Sequence, residues 1–96
     1  MPAAYWVAHV TVTDEEAYMK YATLATEAIA AHGGKFLARS GTSIQKEGRG
    51  HPRNVVAIFP SLEAANACYE SEVYQEALTH AKGASERDLV LVEALE

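Results

Sequence analysis

The side chains with the most chemical scope in this sequence are His9, Arg39 and a set of tyrosines. His9 falls in the run Ala3–Val12 (AAYWVAHVTV), whose β-branched and aromatic residues predict a strand. An imidazole among apolar neighbours can have its pKa moved through neutrality, which suits acid–base work or a ligand contact. The same placement also describes a histidine hydrogen-bonded inside a subunit contact. Arg39 is expected in mid-strand, where a guanidinium needs a partner because burying an unpaired charge is costly. That partner is either the carboxylate or phosphate of a ligand, or an Asp or Glu of the same or a second subunit. Tyr18, Tyr21, Tyr69 and Tyr74 fall on or near the expected sheet-facing sides of helices, where they line a small-molecule site or fill core. His9 and Arg39 are therefore the candidate catalytic residues, and Tyr74 and Tyr69 the candidate ligand-binding ones.

The remaining polar clusters read more plainly. His80 and Lys82 on the short helix, with Arg87 opening the last strand, are expected to be solvated, the alternative being positive charge at a pocket mouth. Lys46, Arg49, His51 and Arg53 read as a solvated hairpin, with an anion-binding loop as the alternative. Cys68 lies on an apolar stripe and reads as a small buried hydrophobe rather than a nucleophile. As the single cysteine it cannot form an internal disulfide. No Cys/His or His/Asp/Glu set has ligand spacing, so neither a metal nor a cofactor is expected. Gly33-Gly34 reads as a helix stop and lacks the spacing of a phosphate loop.

These residues are positioned by a simple order of elements. The strand Ala3–Val12 alternates Trp6, Ala8, Val10 and Val12 on one face with Tyr5, Val7, His9 and Thr11 on the other. Thr13-Asp14-Glu15-Glu16 reads as a capping box with Thr13 as N-cap. The following helix carries Ala17, Tyr18, Tyr21, Leu24, Ala25, Ala28 and Ile29 on one stripe. It stops at His32-Gly33-Gly34. Lys35–Ile44 reads as a second strand, with Phe36, Ala38 and Ser40 on one face and Leu37 and Arg39 on the other. Gln45–Arg53 is an exposed connection. Asn54–Phe59 is a third strand. Ser61 caps a helix bearing Leu62, Ala65, Cys68 and Tyr69, and Ser71 caps a shorter one bearing Tyr74, Ala77, Leu78 and Ala81. Gly83 ends it, and Leu89–Ala94 is the last strand.

A β-α-β-β-α-β order of this kind predicts an α+β, ferredoxin-like fold: a four-stranded antiparallel sheet with its helices on one face. Yet Val55–Phe59 and Leu89–Val92 are apolar on both strand faces, and such unbroken runs imply cover on both sides. The helices suffice for one side only, so a second copy of the protein is expected to cover the other. The 96 residues, 49% hydrophobic and 22% charged, suit a single domain spanning 1–96. The net charge of −5 argues against nucleic-acid binding. No run approaches a membrane span and no leader is legible, so a cytoplasmic setting is expected.

Several segments also resemble one family. Gly33–Gly41 (GGKFLARSG), Arg53–Ser61 (RNVVAIFPS), Tyr69–Tyr74 (YESEVY), Leu89–Glu93 and Tyr5-Trp6 are similar, in that order, to small bacterial proteins grouped as domain of unknown function 1330. Ser40 stands where relatives commonly have glycine after the arginine, and Ala94 where they often end in glycine. The resemblance runs along essentially the whole chain and implies a dimeric α+β barrel, two ferredoxin-like subunits packed sheet to sheet. The family has no settled activity. The resemblance therefore implies a fold and an assembly more than a function, and the function expected is that of a homodimer binding a small organic molecule in a pocket between sheet and helices. The alternatives are cofactor-free isomerase or monooxygenase-like chemistry, with His9 as acid–base and Arg39 as anion anchor, and a purely structural dimer.

Overall fold

Along residues 4–10 every second side chain, Ala4, Trp6, Ala8 and Val10, is buried, while His9 is exposed. That period of two commits one face of the strand to the core and leaves the other uncovered. The computed structural model describes residues 2–95. Its elements are β1 (Ala4–Val12), α1 (Glu15–Ala31), β2 (Lys35–Arg39), β3 (Arg53–Phe59), α2 (Leu62–Glu70), α3 (Glu72–Ala81) and β4 (Ser85–Glu93). The strands pair antiparallel in the order β2-β3-β1-β4. All helices pack on one face. This is the expected ferredoxin-like α+β arrangement, with its second helical limb divided at Ser71.

Local chemistry accounts for most of the boundaries. The Ser61 hydroxyl accepts from Ala64 N at 3.0 Å, and Ser71 Oγ accepts from Tyr74 N at 3.3 Å, so both serines cap as expected. The first helix corrects the expectation of a Thr13 cap. Asp14 is the N-cap, its carboxylate accepting from Ala17 N at 3.2 Å. The backbone N–H groups of Thr13 and Asp14 instead both donate to Ala84 O, at 2.8 and 3.1 Å. This tie to the α3–β4 turn starts the helix one residue later.

The strands differ from the sequence reading in two places that matter for the site. β2 ends at Arg39 rather than Ile44, because Ser40 takes φ +58° and residues 41–52 run on as a mostly exposed loop. A side chain in that left-handed region costs about 1 kcal/mol, and a glycine would not incur it. Between Phe36 and Ala38 the register shifts, with Leu37 as the extra residue. Phe36 then faces Ala57 and Arg39 faces Val55, so Arg39 shares the helix-covered face with Phe36 and not the face expected from simple alternation. β4 begins at Ser85 rather than Leu89. Ladder pairing with β1 continues through the polar segment Ser85–Asp88, since backbone hydrogen bonds do not require apolar side chains.

The covered face is filled by Trp6, Phe59, Tyr74, Cys68 and a bed of alanines. Val55, Leu89 and Leu91 are partly buried against it. On the opposite face, Tyr5 and Val7 are flanked by Val56 and Ile58 on one side and by Val90 and Val92, 55% and 47% exposed, on the other. The molecule is only 17 Å deep along its shortest axis, the depth of one sheet and one helical layer.

The α1–β2 turn is fixed by a close approach. Gly33 takes φ +81°, and Gly34 N donates to Ile29 O at 2.8 Å, a helix-terminating motif that needs the left-handed residue. A Cβ at Gly34 would fall 2.6 Å from Ile29 Cγ2 and 2.8 Å from the Phe59 ring, both buried. Gly34→Ala should therefore destabilise the fold by about 1–3 kcal/mol through overpacking. Chemical denaturation checks this.

Candidate functional site

The layer between sheet and helices is uneven. α2 and its alanines approach β1, β3 and β4 closely, whereas α1 packs chiefly on α3 and stands away from the strands. The gap is a cleft of about 280 Å³ between α1 and the sheet. Trp6, Ala8, Val10 and Val55 line the sheet side, and Tyr18, Tyr21, Ala22 and Ala25 line the helix side. Phe36 from β2 adds a further apolar wall.

Into this apolar setting the fold places three of the chain's four arginines: Arg39, Arg53 and Arg87. Register explains how. Val10 on β1 is flanked by Arg53 on β3 and Arg87 on β4, and Arg39 on β2 is opposite Val55, two residues along from Arg53. All three belong to the same end of the helix-covered face. Each guanidinium is stacked on its own aromatic ring. Arg39 lies 4.3 Å from the Phe36 centroid, Arg53 5.3 Å from Tyr18 and Arg87 4.5 Å from Tyr21.

Arg87 is the most enclosed of the three. Its Nη2 donates to Tyr21 Oη at 2.6 Å and to Tyr74 Oη at 3.2 Å, and the two phenol oxygens are themselves 2.7 Å apart. Its Nε is buried without a hydrogen-bond partner among the described residues. Burial works against the guanidinium charge, but the two phenol oxygens more than offset it and hold the Arg87 pKa above its ordinary value. Burial raises the pKa of both Tyr21 and Tyr74, and Arg87 only partly opposes this. At neutral pH the group is thus one cation and two neutral phenols. One of the two phenol hydrogens serves the Tyr21–Tyr74 bond, which leaves a second O–H to donate elsewhere.

The other arginines have simpler partners. Arg53 Nη2 pairs with the Glu15 carboxylate at 3.0 Å on the rim, and Arg39 Nη2 donates to Thr26 Oγ1 at 2.7 Å. Neither Arg39 nor Arg87 has a carboxylate partner among the described residues.

The candidates from the sequence are thereby sorted onto two faces. Arg39 reaches the cleft, and Tyr74 lies fully buried behind it. Tyr69 packs against Trp6 and Tyr74 and borders a second depression with Asn66, Leu89 and Leu91, which shares Arg87 with the cleft. His9 is on the opposite face of the sheet, so it cannot act beside Arg39 in one pocket. There His9 Nδ1 donates to Asn54 Oδ1 at 2.6 Å. Nearby, Thr11 Oγ1 is 2.7 Å from His51 Nδ1, and His51 Nε2 is 3.4 Å from Asp88 Oδ2.

Arg53, Tyr21 and above all Arg87 are cleft residues that the sequence named only as alternatives to a solvated hairpin, core and a solvated helix end. Arg87, expected to be solvated, is in fact part-buried at the centre of the network. The signal was parity: Arg87 is two residues before Leu89 and four before Leu91, so extending their alternation backwards puts it on the core face. Arg53 relates to Val55 and Ala57 in the same way. Cys68 is buried as expected, and burial pushes its thiol up to about 11, leaving it protonated at neutral pH. Among the described residues no three His, Cys, Asp or Glu side chains are grouped to hold a metal ion. No helix among them is long and apolar enough to cross a membrane.

Comparison with solved structures places the fold in known company. A protein of unknown function from Rhodopseudomonas palustris superposes with a TM-score of 0.81 at 19% identity, over 99% of this chain and 84% of that one. SnoaB, a cofactor-independent oxygenase from Streptomyces nogalater, gives 0.69 at 13% identity over 100% and 96%. A dimeric ferredoxin-like protein of unknown function from Thermobifida fusca gives 0.64 at 15% identity over 97% and 92%. At these identities the likeness is one of fold. No curated protein matches the sequence. The family resemblance seen in the sequence extends over residues 3–95, and the chain belongs to the family described as Domain of unknown function (DUF1330).

Proposed function

We propose that this protein is a homodimer, joined through the bare sheet face, that binds a small organic molecule in the cleft between α1 and the sheet of each subunit. The observation that carries the ligand reading is the Arg87–Tyr21–Tyr74 network. It sets a spare phenol hydrogen, and a guanidinium without a carboxylate partner among the described residues, beside apolar walls. Buried donors without acceptors are costly, and a ligand oxygen would relieve that cost. In this reading Arg39 and Tyr74 serve the ligand, Tyr74 by holding Tyr21 and Arg87 in place. Tyr69 supports the aromatic layer behind them. His9 belongs to the subunit contact. A cytoplasmic setting fits the lone buried thiol.

A second reading, cofactor-free oxygenation or isomerisation, draws on the fold shared with a cofactor-independent oxygenase. It also draws on the phenol pair, which can hold a proton for a substrate oxygen. Oxygen uptake or proton exchange in the presence of a bound ligand would separate turnover from binding.

Ala22→Phe should fill the cleft without unfolding the protein, because it occupies existing space. Small aromatic molecules that bind the wild type in ligand-observed NMR should lose at least about tenfold in affinity. Binding that ignores this substitution would place the ligand elsewhere.

The phenol pair has its own signature. A raised folded-state pKa contributes stability below the free phenol value of about 10 and loses it as pH rises above that value. The ultraviolet ionisation of Tyr21 and Tyr74 should therefore lag until alkaline unfolding. A Tyr21→Phe, Tyr74→Phe double variant should lack the delayed step and show a flatter decline in stability above pH 10.

Sedimentation should give a dimer at micromolar concentration, and Val90→Asp on the bare face should give a folded monomer. A monomeric wild type would remove the assembly from the proposal.

A further inference from the structure

We infer that the ligand of the cleft is an organic anion, a carboxylate on a compact apolar body, recognised by the Arg39, Arg53 and Arg87 guanidinium groups. This rests on the ligand-site reading above and adds the charge class to it.

The charge balance is local and lopsided. The chain carries a net charge of −5, yet three of its four arginines line one cleft and no Asp or Glu lines it. Glu15 at the rim answers one of them, Arg53. Two positive charges remain without a carboxylate among the described residues. Three hydroxyls at or behind the cleft, Tyr21, Tyr74 and Thr26, already accept hydrogen bonds from guanidinium nitrogens, and the others that line it, Tyr18 and Ser40, carry no charge. What the cleft lacks is negative charge.

Geometry narrows the anion. The guanidinium carbons lie over the Phe36, Tyr18 and Tyr21 rings, which holds the three head groups at the cleft. A planar fork held in this way suits a planar carboxylate. Register sets the Arg53 and Arg87 backbones two strands apart, about 10 Å, with Val10 between them. Long side chains from both positions can therefore reach one group above Val10. Trp6, Ala22, Ala25, Ile29 and Val55 form largely apolar walls beside the Ser40 hydroxyl. They call for an apolar body, and about 280 Å³ limits it to roughly one or two rings or a short branched chain. Free inorganic phosphate would leave those walls unused.

Matched pairs test the charge class directly. Benzoate and benzamide, 3-phenylpropanoate and 3-phenylpropanamide, and 4-methylpentanoate and its amide would be titrated by calorimetry and ligand-observed NMR, with inorganic phosphate alongside. In at least one pair the acid should bind about tenfold or more tighter than the amide, since hydrogen bonds to charged groups are the strong ones. Arg39→Gln, at an exposed position, should weaken the acid about fivefold or more and leave the amide unchanged. Glu15→Gln, which removes the competing carboxylate, should tighten the acid by a few-fold. Equal affinity of acid and amide, or phosphate binding as tightly as the acids, would overturn the anion inference while leaving the ligand site standing. Failure of every acid and every amide to bind would overturn both.

Discussion

The spacing between the helical layer and the sheet is set by an aromatic layer, and the candidate site exists because of that spacing. Tyr74 stands edge-on to Trp6 with centroids 5.0 Å apart and edge-on to Tyr21 at 5.9 Å, while Trp6 meets Phe59 at 5.6 Å. Such pairs prefer these tilted arrangements and add to the burial of their large surfaces. Alanines elsewhere let α2 come close to the strands. Beneath α1 the rings hold the helix off, and the room they create is bounded by Tyr18 and Tyr21 on the helix side and by Trp6, Ala8, Val10 and Val55 on the sheet side. Closing a cleft of this origin would require breaking these aromatic contacts.

The same layer makes it tolerable to keep a guanidinium inside. Arg87 is supported from below by the Tyr21 face and laterally by two phenol oxygens, so much of its hydration is replaced before any ligand arrives. The replacement is incomplete, because the phenols are neutral and Nε has no partner. A carboxylate in place of either phenol would have completed the site and closed it to outside anions. Neutral phenols hold the cation in place while leaving its charge available, which is what a binding group requires and a structural ion pair does not.

Most of the fold was legible because it follows from short-range rules. Alternation in Ala3–Val12, the apolar stripe from Tyr18 to Ile29, the serine caps and the Gly33 stop each express local physics, and together they leave few topologies. The site was much less legible, and for specific reasons. Arg39 was expected on the wrong face because a bulge at Leu37 has no clear mark in the sequence, and one extra residue reverses every side chain after it. Arg87 was expected to be solvated because it lies among four polar residues ahead of the apolar run, although β1 pairs with all of them. Tyr21 was read as core, which it is, but its hydroxyl's role depends on Tyr74, 53 positions away. Pairings of that range cannot be seen in a periodic pattern.

Arg87 and Asp88 show how closely the two faces of the sheet are linked. As neighbours on β4 they point to opposite sides, Arg87 to the phenols and Asp88 to His51 beside Thr11 and His9. β4 is an edge strand, hydrogen-bonded only to β1, and an unsupported edge is the part of a sheet most free to shift. A second copy on the bare face would press on Val90 and Val92 and limit the movement of that strand. Since the backbone that presents Asp88 outward also presents Arg87 inward, bracing one fixes the other. Assembly and binding would then be coupled through two adjacent residues of one strand, without any contact between the partner and the cleft itself.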